Sequence, residues 1–255
     1  MEVFMSTISN ISSNVDYGSI STGKKINSAA DDASGLTIAN KLKSQSNGLT
    51  AGADNAATGK NVTNIADGAL GGIQDYLQKI REVSVKAMNG LNSASDLSAM
   101  QKEIGGYMSG IQDIAQGTQY NTKKLLDGNM ADMNLATNPD GSGMKIQMAN
   151  STLESLGIDG YDVTKKFDIS TIDSAISKVS DTRSSIGASS NALDYAYSYN
   201  TGAAQEQTSA QSRIEDLDVP KAISDQKKNA VLEEYKNTMM KKQMDEDSLV
   251  TKLLQ

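Results

Sequence analysis

Neither cysteine nor histidine occurs in this 255-residue chain, and the two absences together remove most familiar active sites. Without Cys there is no disulfide framework, thiolate nucleophile or thiolate metal site. Without His there is no Ser-His-Asp triad, imidazole-ligated metal or zinc-protease motif. Carboxylates alone remain for acid–base work, but they are scattered along helix surfaces, with no aromatic-lined cleft to raise a pKa. No enzymatic role, metal or cofactor is expected. Tryptophan is also absent and only two Phe occur, so a thick core would lack bulky filler. Packing falls to small residues, Leu, Ile, Val and Met, which suits helices lying side by side in thin bundles. The only prolines are Pro139 and Pro220, leaving long stretches free to be unbroken helix. Net charge is −7, which disfavours nucleic-acid binding because no basic stripe could neutralise phosphates. No apolar run approaches the roughly eighteen residues of a membrane span, so no membrane insertion is expected. Nor does the N-terminus pair a basic region with an apolar core, so no cleaved secretory signal is visible.

What is present is helical period. Val62, Ile65, Ala69, Ile73, Tyr76, Ile80, Val83 and Ala87 recur at steps of three and four, the spacing of a helix that buries one narrow seam. One helix is predicted from about Ala30 to Met88, with Ser28 and Asp31 supplying its cap and Gly48, Gly52 and Gly59 as points for a kink. At 1.5 Å per residue it would span roughly 85 Å. Asn89-Gly90 ends it. Ser93 to Asp96 then reads as a capping box for a second helix with the seam Leu97, Met100, Ile104, Tyr107, Ile111, Ile114 and Thr118. The short turn between the two predicts antiparallel packing.

After Asn121 the period breaks. Asp127-Gly128 and Asn138-Pro139-Asp140-Gly141 are turn signals. Met133, Leu135 and Thr137 alternate against Met144, Ile146 and Met148, which predicts a small β-hairpin; Gly157 to Lys166 reads as irregular. Ser170 to Asp173 forms a further capping box, opening a helix with the seam Ile172, Ile176, Val179, Arg183, Ile186, Ser190, Leu193 and Tyr197. Arg183 and Ser190 interrupt the stripe, either as register-fixing buried polar groups or as partly exposed ones. A last helix is predicted to start after Asp218-Val219-Pro220, with proline suited to a first turn, carrying Ala222, Val231, Leu232, Tyr235, Met239 and then Leu249 to Leu254, broken by a polar Lys241-to-Ser248 stretch. At the other end, Phe4, Ile8, Ile11 and Val15 share one helical face, and Tyr17 to Lys25 reads as a connector. The fold class is mainly α: a long antiparallel coiled-coil-like bundle, rod-like, with a hairpin insert and terminal arms. Residues 1–29 form an arm and connector, 30–125 the N-terminal rod helices, 126–167 the short hairpin and variable region. Residues 168–217 form the C-terminal rod helix and 218–255 the second arm.

The run Ser21-Thr22-Gly23-Lys24-Lys25-Ile26-Asn27-Ser28-Ala29-Ala30-Asp31-Asp32-Ala33-Ser34-Gly35-Leu36-Thr37-Ile38-Ala39 resembles the N-terminal signature of bacterial flagellins, roughly SSGxRINSAxDDAAGxxIA. Leu77 to Val85 resembles their LQRxRELxVQ stretch, and Gly117 to Asn121 their TQFNG stretch. Ile172 to Ala188 resembles IDxALxxVxxxRSxLGA, and Ser212 to Asp216 the SRIEDAD motif. The segment ahead of Ile26 is shorter than the family's. The C-terminal helix carries Lys227-Lys228, Glu233-Glu234, Lys241-Lys242 and Asp245-Glu246-Asp247 where the family's is apolar.

The resemblance implies a flagellar filament subunit of the minimal type, its terminal helices forming an inner tube and a surrounding rod layer, with the middle region facing solvent. It implies type III export without signal cleavage, and self-association into a filament outside the cell. It also implies an export chaperone, cap and hook-junction proteins as partners, and recognition by the host's flagellin-sensing Toll-like receptor. By residue match, the axial contact and receptor patch would comprise Gln78, Lys79, Ile80, Arg81, Glu82, Val83, Ser84 and Val85, with Glu103 on the neighbouring helix. On composition alone the same residues read as an ordinary helix surface, with Ile80 and Val83 in the seam. Asp31-Asp32 suits a helix N-terminus better than a metal, and the twelve Met read as adaptable packing. The alternatives are a hook–filament junction protein, a minor or variant flagellin, and a soluble receptor-binding helical module.

Overall fold

Capping chemistry sets where each helix begins. In the computed structural model, which describes residues 17–130 and 132–253, the elements run α1 (Tyr17–Thr22), α2 (Ala33–Ala87), α3 (Ala94–Gly117), β1 (Gln119–Tyr120), β2 (Lys123–Lys124), β3 (Asp132–Leu135), β4 (Met144–Gln147), α4 (Leu153–Leu156), α5 (Ser170–Glu215) and α6 (Val219–Leu253). The seam through Phe4, Ile8, Ile11 and Val15 lies outside the described residues. Ser93 forms the expected capping box: its hydroxyl accepts from the Asp96 N–H, and the Asp96 carboxylate accepts from the Ser93 N–H at 2.9 Å.

Two boundaries and one cap depart from expectation. Part of the Tyr17–Lys25 connector is helical, because Thr22 bonds back to the Gly18 carbonyl and Gly23, at φ +69°, provides the left-handed stop. The start of α2 lies at Ala33. Here the Asp31 carboxylate accepts from the N–H groups of Asn27 and Ser28 at 2.9 and 2.8 Å, tying the upstream loop. Asp32 is the residue that caps, accepting from the Gly35 N–H at 2.8 Å. Both carboxylates are thus occupied by backbone donors. A Cβ on Gly35 would crowd the capping Asp32 carboxylate and lie 2.8 Å from the end of the Ile26 side chain, so a larger residue here would make both shift. Finally, the Ser170–Asp173 box does not form. Asp168 accepts from the Ser170 N–H at 2.9 Å, while Asp173 receives the Nε of Arg81 at 2.6 Å.

The described residues fall into two compact units, residues 17–44 with 206–253 and residues 45–205. In the second, α2 runs antiparallel to α3 and to α5. Tyr76 packs tilted against Tyr107 with ring centroids 5.9 Å apart and Gly72 meets Ile114, whereas Lys60 pairs with Asp194, Asp67 with Arg183 and Arg81 with Asp173. Two neighbours need a broader face than a single seam. The buried row of α2 is Val62, Ala66, Leu70, Ile73, Leu77, Ile80, Val83 and Ala87. Ala69 and Tyr76 pack at its flank, and Ile65 is 41% exposed, so the single seam through Ile65 is corrected. On α3, Ile104 and Ile111 are fully buried, with Leu97, Met100, Tyr107 and Ile114 packed beside them. On α5, Ile172, Val179, Ile186 and Leu193 are buried, whereas Tyr197 is nearly half-exposed. Arg183 sits at the edge of this interface and forks onto Asp67 (Nε 2.8 Å, Nη2 3.3 Å) while Nη1 donates to Gln74 at 2.8 Å. Arg183 is therefore the partly exposed group of the two readings, not a buried one, and its fork cross-links the two helices.

The helix runs unbroken through Gly48, Gly52 and Gly59. These glycines serve close approach instead of bending. A Cβ on Gly48 would lie 2.9 Å from Pro139, one on Gly52 would meet the Thr137 carbonyl, and one on Gly59 the Leu135 side chain. The strand exit 135–139 thus lies along a strip without side chains. Asn200 and Asn55 hold it by donating to the carbonyls of Thr137 and Ala136 at 2.7 and 2.8 Å.

The expected hairpin is β3 with β4, antiparallel, pairing Met133 with Ile146 and Leu135 with Met144. A second, unforeseen hairpin joins β1 to β2 through Asn121 and Thr122, both at positive φ. The segment 126–167 is not simply solvent-facing. Leu126, Ile146, Met148, Leu156, Ile158, Tyr161 and Val163 are buried in the same core as the long helices. The Gln101 amide holds the irregular part, donating to the Tyr161 carbonyl at 3.0 Å and accepting from the Val163 N–H at 2.8 Å. Backbone polar groups that no ladder satisfies are thereby paired.

In the first unit α1 packs on α6. The chain at Lys24 bridges antiparallel to Asp216, with Lys25 N–H donating to the Glu215 carbonyl at 2.8 Å and Leu217 N–H to the Gly23 carbonyl at 2.9 Å. A Lys24–Glu215 ion pair closes this clasp. Asp218 caps α6 by accepting from the Lys221 N–H at 3.1 Å, with Pro220 in the first turn.

Candidate assembly surface

Helical geometry sorts the expected patch into two sides. Ile80, Val83 and Ser84 face the core, and Ser84 accepts a hydrogen bond from the Tyr161 hydroxyl at 3.1 Å while donating to the Ile80 carbonyl at 2.7 Å. Gln78, Lys79, Arg81, Glu82 and Val85 are exposed. The outward half is a charge lattice: Glu82 receives Lys79 at 3.3 Å and Lys86 at 2.9 Å. Those two ammonium groups, Lys86 foremost, hold the Glu82 carboxyl below its usual range. Glu103 on α3 accepts from the Tyr107 hydroxyl at 2.8 Å, which raises the phenol, and its charge also reaches Lys86. The fold therefore brings Glu103 beside the α2 residues. Arg81 is committed within the chain to Asp173, yet among the described residues only its Nε has a partner. Its two Nη groups make no hydrogen bond among the described residues.

Sequence reasoning passed over the apolar end of this surface. Val85, Met88 and Leu91 are 49, 62 and 91% exposed. Leu91 lies in a turn and outside any periodic seam, so periodicity is blind to it; an apolar residue between Gly90 and Asn92 was the available signal.

A second surface lies on α6. Ala222 is buried, but Val231, Leu232, Tyr235, Met239, Met240 and Met244 are all about half-exposed or more. Val231, Tyr235 and Met239 fall at steps of four and so share a face. The helix continues through the polar stretch from Lys241 to Ser248, which therefore does not interrupt it. Hydrophobic side chains in such a row are the mark of a surface that another molecule covers. No described helix is long and apolar enough to cross a membrane.

Comparison with known proteins accounts for both ends of the chain. Residues 4–131 match the bacterial flagellin N-terminal helical region, and residues 169–254 the bacterial flagellin C-terminal helical region. Flagellin of Bacillus subtilis (strain 168) is 30% identical over 98% of this chain and 97% of its own length. The flagellar filament 33 kDa core protein of Treponema phagedenis is 31% identical over 91 and 88%. The crystal structure of Bacillus cereus flagellin superposes with a TM-score of 0.52 at 25% identity, covering 58% of this chain and 88% of that one. Two family regions in order, joined by a short packed insert, show that this chain belongs to the bacterial flagellin family, whose members are structural proteins and not enzymes.

Proposed function

We propose that this chain, which as a flagellin is a structural subunit of the bacterial flagellar filament, assembles by covering two surfaces that it cannot cover alone. One is the exposed face of Gln78, Lys79, Arg81, Glu82 and Val85 with Glu103, acting as an axial contact. The other is the apolar row of α6, acting in the inner part of the filament together with residues 1–29. The observation that carries this reading is the exposed apolar set of α6, where Val231, Leu232, Tyr235, Met239, Met240 and Met244 stand in solvent along one 35-residue helix, with Val231, Tyr235 and Met239 on one face. Repeating a non-closing contact between unlike surfaces yields a filament. Association costs entropy that burial of about 1,000–3,000 Å² per subunit offsets. Residues 30–125 and 168–217 supply the rod layer, and 126–167 a short insert in place of an outer domain. An export chaperone, a filament cap and hook-junction proteins complete the set of partners, with the assembled filament outside the cell. A host receptor that senses flagellin reads the same α2 face.

The test is seeded polymerisation followed by sedimentation and electron microscopy, with the full chain and with residues 219–255 removed. The full chain is expected to lengthen the seeds and the shortened one to remain soluble. Equal lengthening by both would overturn the role of α6, and a full chain that stays monomeric on competent seeds would overturn the assembly reading itself.

A further inference from the structure

Asn-Gly occurs twice in the sequence, at Asn47-Gly48 and at Asn89-Gly90, and the fold treats the two pairs in opposite ways. Gly48 lies inside α2, its N–H engaged in the helix and its Cα against Pro139. Asn89-Gly90 forms the turn between α2 and α3, with both residues exposed. Among the described residues the Gly90 N–H donates no hydrogen bond, and nothing approaches the Gly90 Cα face within 4 Å. The Asn89 side chain is folded forward over the Gly90 peptide, since its Oδ1 accepts from the Leu91 N–H at 3.2 Å. A side-chain amide lying over a free, unhindered peptide nitrogen is the arrangement for internal cyclisation.

We infer that Asn89-Gly90 is a self-modification site, where the turn converts asparagine through a cyclic imide to a mixture of aspartate and isoaspartate. The Gly90 nitrogen, having lost its proton to solvent base, attacks Asn89 Cγ. The Cγ–Nδ2 bond breaks, and ammonia leaves after taking up a proton. The five-membered imide then adds one water at either carbonyl, restoring the ordinary backbone or routing it through the side-chain carbon. No oxidant or cofactor enters. The product places a new carboxylate one turn from Lys86, whose carbonyl already accepts the Asn89 N–H and the Asn92 amide. In the isoaspartate form it also adds a backbone atom to a turn held by the Asn92 N–H to the Asn89 carbonyl at 3.1 Å.

The experiment incubates the intact folded chain at mildly alkaline pH. Peptide mass spectrometry then follows the amide-to-acid change, and isoaspartate is scored with a protein isoaspartyl methyltransferase. Asn89 is expected to convert about tenfold or more faster than Asn47, because Asn47 must first open the middle of a helix and each factor of ten needs only a small barrier difference. In strong denaturant the two rates should converge. Gly90→Ala, which meets no neighbour and sits at ordinary φ, should keep the circular dichroism of the parent and slow the reaction at Asn89 alone. Equal native rates at the two sites, or a native Asn89 that stays unmodified while the denatured chain reacts, would overturn the inference.

Discussion

Glycine in this protein has two opposite meanings, and they separate at single positions. Gly52 faces the Thr137 carbonyl and the Asn200 amide, the latter 2.9 Å from where a Cβ would stand, whereas Gly68 on the same helix faces open space. Gly52→Ala is expected to destabilise by about 1–3 kcal/mol through overpacking, and Gly68→Ala to stabilise by about 1 kcal/mol through helix propensity. Chemical denaturation of both variants checks the pair, and equal shifts would refute the strip on which residues 135–139 lie. Arg81 also divides two roles. Its ion pair with Asp173 is half-exposed on both sides, so it contributes at most about 1 kcal/mol to stability. Arg81→Ala should leave the unfolding midpoint nearly unchanged and cut the filament yield. Asp173→Asn, which releases the same pair but keeps the guanidinium, should assemble normally. Losses of equal size would mean that the intramolecular pair, and not the outward Nη groups, matters.

At the scale of elements, the clasp between residues 23–25 and 215–217 is open to control by pH. Glu215 is buried, and its carboxyl is held below the ordinary glutamate value of 4.5 by the Gln211 amide first and then by Lys24, with Lys43 adding to the field. A carboxylate with a depressed pKa contributes stability that is fully present above 4.5 and is lost as pH falls through the lower native value. Acid is therefore expected to loosen the first unit below about pH 4.5, and Glu215→Gln should flatten that part of the profile. Urea midpoints between neutral and acid pH give the measurement, and a profile that the variant leaves unaltered would remove Glu215 from the account. Elements also explain which readings failed. The Ser170–Asp173 box was sound by spacing, but Asp168 reached the Ser170 N–H first and Arg81 claimed Asp173. The β1–β2 hairpin was hidden because it needs Thr122 at φ +67°, which a β-branched residue rarely adopts. The period of α2 pointed to one seam because Ile65, Ala69 and Tyr76 are apolar too. Only contact with both α3 and α5 decides that the row through Ala66, Leu70 and Leu77 is the buried one.

For the whole molecule, a flagellin that builds a filament must leave part of its apolar surface uncovered while alone, and α6 does so along much of its length. Sequence by itself determined the helical class, the cap at Ser93, the place of Pro220 in the first turn of α6, the β3–β4 pairing and the family. Each of these is local, written in neighbours within a few residues or in short ordered motifs. Tertiary structure alone decided that Leu126, Ile146, Met148, Leu156, Ile158, Tyr161 and Val163 of the insert join the helical core, that Gln101 satisfies the backbone of an irregular stretch, and that three glycines of α2 admit a passing segment. It also decided that Ile80, Val83 and Ser84 turn inward while Glu103 joins Glu82 and Lys86. The reason is physical: a side chain's burial and its partner depend on which distant segment arrives beside it, and period and propensity carry no record of that segment.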